Sequence, residues 1–311
     1  MALRWLLLIG ATFCANCAFA QRLPPPGPLS QTMKAPHQTE PAPNASPVRT
    51  ASPTRTSAGQ SQGVLIDMSS NLGRGVLAEM TEDYKDAIKL LTLAIKEEQA
   101  EVIKLGLAHR FRGLAYKHLG RREEALNDFL EVIRIQPQLD LGYYDAGVIY
   151  NLTGRHQAAV AAMTRAIDLR HDDRGLARRR SERGNAYFHL GQFKRAESDF
   201  VVALRLDPRE PDVLNNVAWF RATCPDAAFR NGREAVELAA RACALDRWKD
   251  ADEIDTLAAA YAESGNFAEA ERYQQKALSL LSADEALRPK FQARLEQFRA
   301  KQPVRQQIGE S

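Results

Sequence analysis

The feature of this chain that most constrains its fold is an internal repeat. In each of four copies a small residue is followed by a tyrosine three positions later, by a glycine seven positions later, and by an alanine five positions after that glycine. A fixed period of tens of residues is typical of solenoid proteins, in which each unit packs on the next. The small residues are Gly113, Gly147, Gly184 and Ala258, the glycines are Gly120, Gly154, Gly191 and Gly265, and the alanines are Ala125, Ala159, Ala196 and Ala270.

The spacing within one copy predicts two antiparallel α-helices joined by a tight turn. Small residues let the two helices approach closely, and a glycine in the left-handed conformation ends the first helix. Pro137 and Pro208 fall where the second helix has to stop. No segment alternates polar and apolar residues with a period of two, so we expect an all-α fold without strands.

The repeat length, the small-residue positions and the turn glycines resemble the tetratricopeptide repeat. The resemblance implies a right-handed α-solenoid of antiparallel helix pairs, a TPR superhelix, over residues 63–301. We place regular units at 106–139, 140–173, 177–210 and 251–284, less regular units at 68–101 and 211–247, and a C-terminal capping helix at 285–301. Residues 302–311 are expected to form a flexible tail.

The unit 211–247 has a turn about five residues longer than the other units. Cys224 begins this insertion, and Cys243 lies eleven residues beyond the expected start of the next helix near Gly232. Eleven helical residues span ~16 Å, whereas a disulfide needs Cα atoms within ~7 Å of each other. We therefore expect two separate, buried thiols, and a bridge becomes feasible if the insertion folds back along the helix.

The first 20 residues have the pattern of a secretory signal peptide. Arg4 precedes a short apolar stretch, and Ala18-Phe19-Ala20 is a small-x-small cleavage site, with retention as an anchor as the alternative. Residues 21–62 contain nine of the fifteen prolines and no aromatic residue, which predicts a disordered Pro/Ser/Thr-rich linker. The sequence thus predicts an exported protein, periplasmic or secreted, with no membrane span after signal cleavage.

Charge and motif content argue against several functional classes. The chain has 42 Lys and Arg against 39 Asp and Glu, a net charge of +3, which is too balanced for a nucleic-acid binder that relies on bulk charge. It has no Gly-x-Ser-x-Gly, His-Glu-x-x-His or Walker-type motif, and its six histidines do not combine with other ligands at metal-binding spacing. We expect no enzymatic activity, no metal and no cofactor.

The tetratricopeptide repeat resemblance implies that the concave side, lined by the first helix of each pair, is the functional surface. Asparagine amides both donate and accept hydrogen bonds, so Asn185 and Asn216 suit an extended peptide backbone, with helix bridging as the alternative. Aromatic residues on this face would supply apolar anchors, although packing beneath the long turn is the alternative for Trp219. The ligand-binding set that the resemblance implies is Arg110, Lys117, Tyr144, Asn151, Arg178, Asn185, Phe188, Asn216 and Trp219, flanked on the same face by Leu114, Val148, Glu182, His189, Asn215, Asp252, Asp255 and Glu263.

The leading hypothesis is a non-catalytic protein–protein interaction scaffold of the cell envelope that binds peptide segments or protein surfaces in this concave groove. The identity of the protein partner and the oligomeric state stay open. A basic cluster over residues 170–183 supports an alternative, an assembly factor for an envelope polysaccharide or another anionic polymer. The clamp by which chaperone-binding repeats hold a C-terminal carboxylate is incomplete, because Ser181, Asp252 and Thr256 stand where it needs cations.

Overall fold

The computed structural model describes residues 66–97, 101–170, 172–282 and 285–308, and the predicted signal and linker lie outside these ranges. The compact unit that begins at Asp67 contains thirteen α-helices, one short 3-10 helix and no strand within the described ranges. The predicted all-α solenoid is confirmed. None of the described helices combines the length and the apolar character that a membrane crossing requires. The helices are α1 (Asn71–Met80), α2 (Tyr84–Glu97), α3 (Val102–His118), α4 (Arg122–Ile135), α5 (Asp140–Leu152), α6 (His156–Leu169), α7 (Asp173–His189), α8 (Phe193–Leu206), α9 (Pro211–Thr223), α10 (Gly232–Leu245), α11 (Ala251–Glu263), α12 (Phe267–Leu280) and α13 (Arg288–Arg299).

The helices pack as six consecutive hairpins, α1 with α2 through α11 with α12. The first helix of one hairpin also contacts the first helix of the next: α1 meets α3, α5 meets α7, α7 meets α9, and α9 meets α11. The odd-numbered helices α1 to α11 therefore lie side by side, and we call the surface that they present the inner wall.

Glycines allow each hairpin to form in the two ways that the sequence predicts. At the turn between the two helices, Gly120, Gly154, Gly191 and Gly265 have φ between 71° and 83°, a conformation that side chains with a Cβ rarely adopt. Within α7, a Cβ added to Gly184 would lie 2.8 Å from the ring of Phe200 on α8. The predicted turn glycines are thus confirmed, and the small residue at position 184 is required for close helix packing.

Two hairpins begin earlier than the repeat pattern predicts. Helix α3 begins at Val102 and α7 at Asp173, so the residues between neighbouring units form an additional first turn of each helix. The side chain of Asp172 caps α7 by accepting a hydrogen bond from the Gly175 amide at 2.8 Å. The pattern missed this turn because it lies before the small residue that marks the repeat.

The insertion after α9 folds into a short 3-10 helix, Ala227–Phe229. The ring of Phe229 packs between Phe193 and Phe220, with ring centroids 5.9 Å apart in both cases. Cys224 and Cys243 are both buried and free, as the sequence predicts. Burial raises the pKa of Cys243 to about 12, so its thiol stays protonated and packs as an apolar group.

The segment that follows α13 departs from the expected flexible tail. Residues 302–308 have neither helix nor strand structure, and we call them the C-terminal strap. Val304 is buried among alanines of α9, α10 and α11, and the Gln306 amide donates to the Thr223 carbonyl at the end of α9 at 2.9 Å. Ile308 packs on the hydrophobic core beside α7 and α8. Residues 304–308 thus contact the fold, because the apolar side chains of Val304 and Ile308 find a surface to cover.

Candidate functional site: a pocket in the inner wall

Four odd-numbered helices, α3, α5, α7 and α9, together with Phe129 of α4, line a pocket of about 240 Å³ in the inner wall. Its polar lining includes carboxylates and amides, and the rings of Phe129 and Tyr144 supply the aromatic part. Three of the nine predicted ligand-binding residues meet here, namely Lys117, Tyr144 and Asn216. The complete lining is Lys117, Phe129, Tyr144, Asp145, Val148, Glu182, Asp212, Asn215 and Asn216.

Glu182 of α7 is the central carboxylate of the pocket. The Asn151 amide donates to its Oε2 at 2.9 Å and to its backbone carbonyl at 3.0 Å, so Asn151 bridges α5 and α7. Burial raises the pKa of Glu182, and Asp212 raises it further, while the amides of Asn151 and Asn216 and the charge of Lys117 lower it. Glu182 accepts hydrogen bonds, yet it forms no ion pair with any residue in the part of the chain that the structure describes.

The two asparagines of α9 leave unused hydrogen-bonding capacity in the pocket. The Asn216 amide donates to the Ser181 hydroxyl at 3.1 Å. The Oδ1 atom of Asn215 is buried and accepts no hydrogen bond within the described ranges. A buried acceptor without a donor costs about 1–3 kcal/mol, and the pocket therefore favours a ligand that brings donors.

Tyr144 and Arg110 are fixed by neighbouring charges. Arg179 lies 4.8 Å from the ring centroid of Tyr144, and burial together with the charges of Glu182, Asp212 and Asp145 raises the pKa of the Tyr144 hydroxyl. Arg110 Nε donates to Asp145 Oδ2 at 2.6 Å, which ties α3 to α5. The predicted ligand residue Arg110 is therefore already paired inside the fold.

The other predicted ligand residues have different surroundings. Arg178 is paired with Glu210 at 2.8 Å. Asn185 is half-buried and makes no hydrogen bond through its side chain within the described residues. The prediction of Phe188 as a groove anchor is wrong, because its ring is buried in the core and packs edge-on against Phe220 at 5.2 Å.

Trp219 belongs to a second part of the inner wall, which the C-terminal residues of the chain cover. Its Nε1 donates to Gln306 Oε1 of the strap at 3.2 Å, and the Arg294 guanidinium of α13 lies 4.5 Å from its ring centroid. Trp219 packs beneath these residues instead of beneath the long turn, and its face of the groove is occupied.

Two acidic residues of this covered part are paired with arginines from the C-terminal region, and one of them, Glu263, is also paired with Arg230 of the insertion at 2.9 Å. Arg294 of α13 forms an ion pair with the buried Asp255 of α11. Asp255 also accepts from Gln274 Nε2 at 2.8 Å. Arg305 of the strap pairs with Glu263 at the end of α11 at 2.7 Å.

The basic cluster over residues 170–183 is neutralised within the fold. Arg180 and Arg183 both donate to Asp199 at 2.7–2.9 Å, and Arg179 donates to Asp140 at 2.5 Å. The remaining arginines of the cluster also have carboxylate partners: Arg170 pairs with Asp172, Arg174 with Asp207 and Arg178 with Glu210. The structure therefore gives no support to the polymer-binding alternative.

Three lining residues, Phe129, Asp145 and Asp212, were missed by the sequence analysis. The register of the repeat contains a signal for the two acids. Asp145 lies two residues before Gly147, as Glu182 lies two residues before Gly184, and Asp212 follows Arg178 by one 34-residue period. Phe129 belongs to the second helix of its hairpin, for which the pattern predicts only core packing.

Comparisons with known proteins identify relatives of this chain. Two family models described as tetratricopeptide repeat match residues 111–139, 142–173 and 254–281. Human tetratricopeptide repeat protein 16 is 31% identical over 112 residues, which make up 32% of this chain and 12% of that protein. Rat DnaJ homolog subfamily C member 3 is 29% identical over 91 residues, or 29% of this chain and 18% of that protein. The chain thus spans less than a fifth of the length of these two curated relatives.

Solved structures share the same architecture. PilW, a widely conserved type IV pilus biogenesis factor, superposes with a TM-score of 0.55 at 17% identity, covering 71% of this chain and 96% of PilW. A chain of the APC/C Cut9–Hcn1 hetero-tetramer gives a TM-score of 0.54 at 15% identity, over 76% of this chain and 46% of that chain. A tetratricopeptide repeat protein from Parabacteroides merdae ATCC 43184 gives 0.52 at 15% identity, over 74% and 83%. At these identities the likeness is one of fold.

Proposed function

The chain is a tetratricopeptide repeat protein, and from this premise we propose that it is a scaffold of the cell envelope whose inner-wall pocket binds an extended peptide segment of a partner protein. The fold is that of protein–protein interaction scaffolds. The observation that carries the proposal is the pocket itself, which five helices line and in which the buried Asn215 Oδ1 has no donor among the described residues.

The size of the pocket supports a peptide over a free small molecule. Sites for drug-sized ligands have volumes of about 300–1,000 Å³, and this pocket has about 240 Å³. That volume suits one or two side chains of a longer segment. The neighbouring inner wall would then contact the rest of the segment, as it already contacts the C-terminal strap.

A site-specific cross-linker tests where the partner binds. Val148 lines the pocket, and we expect that a photoreactive amino acid at this position cross-links to a partner from the envelope fraction of the native host. Mass spectrometry then identifies the cross-linked peptide, which should be a single continuous segment. Asn216→Ala should reduce this cross-link several-fold, because it removes a polar contact of the pocket.

The matched control carries the same photoreactive residue at Val201, which is 43% exposed on α8, a helix outside the inner wall. Recovery of the same partners from both positions, or from neither, would overturn the proposal that the pocket binds a peptide. Recovery from Val148 alone supports it.

The predicted export is part of the same proposal and has its own measurement. Intact-mass analysis of the protein purified from its host should give a mature chain that begins at Gln21, located in the periplasm or the medium. A full-length chain that stays in the cytoplasm would contradict the envelope location. Peptide binding in the pocket would then still be tested separately, by the cross-linking experiment.

A further inference from the structure

The covered part of the inner wall shows which groups this wall uses to complete its acidic side chains. Asp255 and Glu263, both on α11, each have an arginine partner from the C-terminal region, Arg294 and Arg305 respectively, and Glu263 has a second arginine partner in Arg230. In the strap, the residue after Arg305 adds a backbone hydrogen bond to Thr223 and a side-chain hydrogen bond to Trp219. This wall therefore already contacts a chain segment that carries an arginine.

The open pocket has the same acidic character without the arginine. Glu182 and Asp212 line it, and neither forms an ion pair with a residue that the structure describes. Asn215 Oδ1 is buried there with no donor. A partly buried carboxylate without a counter-ion is costly, so a cation with several N–H donors would recover more free energy here than any apolar group.

Resting on the proposed function, we infer that the pocket accepts an arginine side chain of the bound peptide, whose guanidinium pairs with Glu182 and donates to Asn215. Arginine has five N–H donors in a planar fork, so one guanidinium can pair with a carboxylate and also donate to an amide oxygen of the same lining. The aromatic ring of Tyr144 in the lining already holds Arg179 against one side, and such rings favour guanidinium groups.

The charges around Glu182 set the strength of this interaction. Lys117 opposes an incoming cation, and Asp212 favours it. Asp145 is neutralised by Arg110. Replacing Lys117 with Gln removes the one cation of the lining and should strengthen the binding of an arginine peptide.

A fluorescein-labelled peptide with the sequence of residues 302–308, Gln-Pro-Val-Arg-Gln-Gln-Ile, is the probe, because the inner wall accepts this segment in the intact chain. The matched control peptide carries citrulline in place of arginine, and citrulline has the shape of arginine without its charge. Fluorescence anisotropy with the purified full chain should show affinity for the arginine peptide at least roughly tenfold higher than for the citrulline peptide, as expected for a close charge pair. Lys117→Gln should raise the affinity for the arginine peptide alone.

Three variants locate the binding. Glu182→Gln should abolish the preference for arginine over citrulline, while Glu237→Gln, on the exposed surface of α10, should leave it unchanged. If Glu263→Gln removes the preference instead, the peptide has exchanged with the strap, and the inference is wrong. Equal binding of both peptides would also overturn it.

The result separates the two proposals. A panel in which norleucine or Glu replaces the arginine tests the pocket for other side chains. If one of these peptides binds and Asn216→Ala weakens it, the pocket binds peptides without selecting a cation, so the inference fails and the proposed function holds. If no peptide binds and Val148 captures no partner, both fail.

Discussion

The inner wall has a covered part and an open part, and the two differ in where the partners of their acidic side chains come from. On α11, Asp255 and Glu263 are paired with arginines that the C-terminal region of the same chain supplies. On α7, Glu182 has only amide donors. The covered part therefore has carboxylates that are paired within the fold, whereas the open part has a carboxylate with no ion-pair partner among the described residues.

One repeat architecture therefore contains both a covered and an uncovered stretch of the same wall. Stacked hairpins leave a wall of first helices wherever no further element covers it. Helix α13 and the strap cover the last two hairpins and fill the surface around Trp219. The pocket that α9 shares with the preceding hairpins has no residue of α13 or the strap in its lining.

The largest expected effect breaks the covered part. Arg294→Met should lower the free energy of unfolding by about 3–5 kcal/mol, because it leaves Asp255 buried without its counter-ion. Urea unfolding followed by circular dichroism measures this change. Arg233→Met is the matched control: its ion pair with Glu237 is on the surface and its side chain is 91% exposed, so the change should stay below about 0.5 kcal/mol. Equal effects of the two variants would refute the distinction.

Removing the strap should have the next largest effect. A chain that ends at Lys301 loses the burial of Val304 and the hydrogen bonds of Gln306 to Thr223 and Trp219. We expect a loss of about 2 kcal/mol in unfolding free energy. We also expect a red shift of tryptophan emission, because Trp219 becomes exposed to solvent. Gln307→Ala, at an exposed position of the strap, should change neither quantity. An unchanged emission spectrum would show that the strap does not cover Trp219 in solution.

The parts of the fold that sequence reasoning predicts are those that repeat. The turn glycines and the solenoid follow from contacts within one hairpin or between neighbours, so they return at a fixed spacing. The strap could not be found in this way, because Gln306 meets Trp219 across 87 residues and no second copy of that contact exists in the pattern. Phe188 failed for a related reason: its position in the register is on the wall, but Phe193 and Phe220 enclose it.

The pocket was predicted in part. Lys117, Tyr144 and Asn216 were assigned because the resemblance to the tetratricopeptide repeat implies a binding surface at their positions in the register, and that register also contains Asp145 and Asp212. Which of these charges are already paired depends on the length and direction of side chains on adjacent helices. Arg110 reaches Asp145, and nothing in the spacing of the repeat distinguishes that arginine from a free one.

A pH comparison on α11 sharpens the role of the counter-ion. Glu253 lies two residues from Asp255 and is also buried, but burial and the charges of Asp250 and Asp246 raise its pKa to about 7. The folded state therefore favours the neutral acid, and this contribution to stability is lost as the pH rises through 7. Glu253→Gln should increase the free energy of unfolding by about 1 kcal/mol more at pH 8.5 than at pH 5.5. Glu237→Gln, on the surface, should show no such pH dependence in the same urea titrations, and an equal response from both variants would contradict the role of burial.

The smallest expected effect tests the open part. Glu182→Gln keeps an oxygen that can accept the hydrogen bond of Asn151 and removes a charge that burial disfavours, so the free energy of unfolding at pH 7 should change by no more than about 0.5 kcal/mol. Asp255→Asn leaves the Arg294 guanidinium on the same wall without its carboxylate partner. This change should lower the free energy of unfolding by about 3 kcal/mol in the same urea titration. If Glu182→Gln lowers the free energy of unfolding as much as Asp255→Asn does, then Glu182 stabilises the solenoid in the way that Asp255 does. That result would contradict the proposal that the pocket is a binding site. A near-zero change combined with lost peptide selectivity would place the function of Glu182 in binding alone.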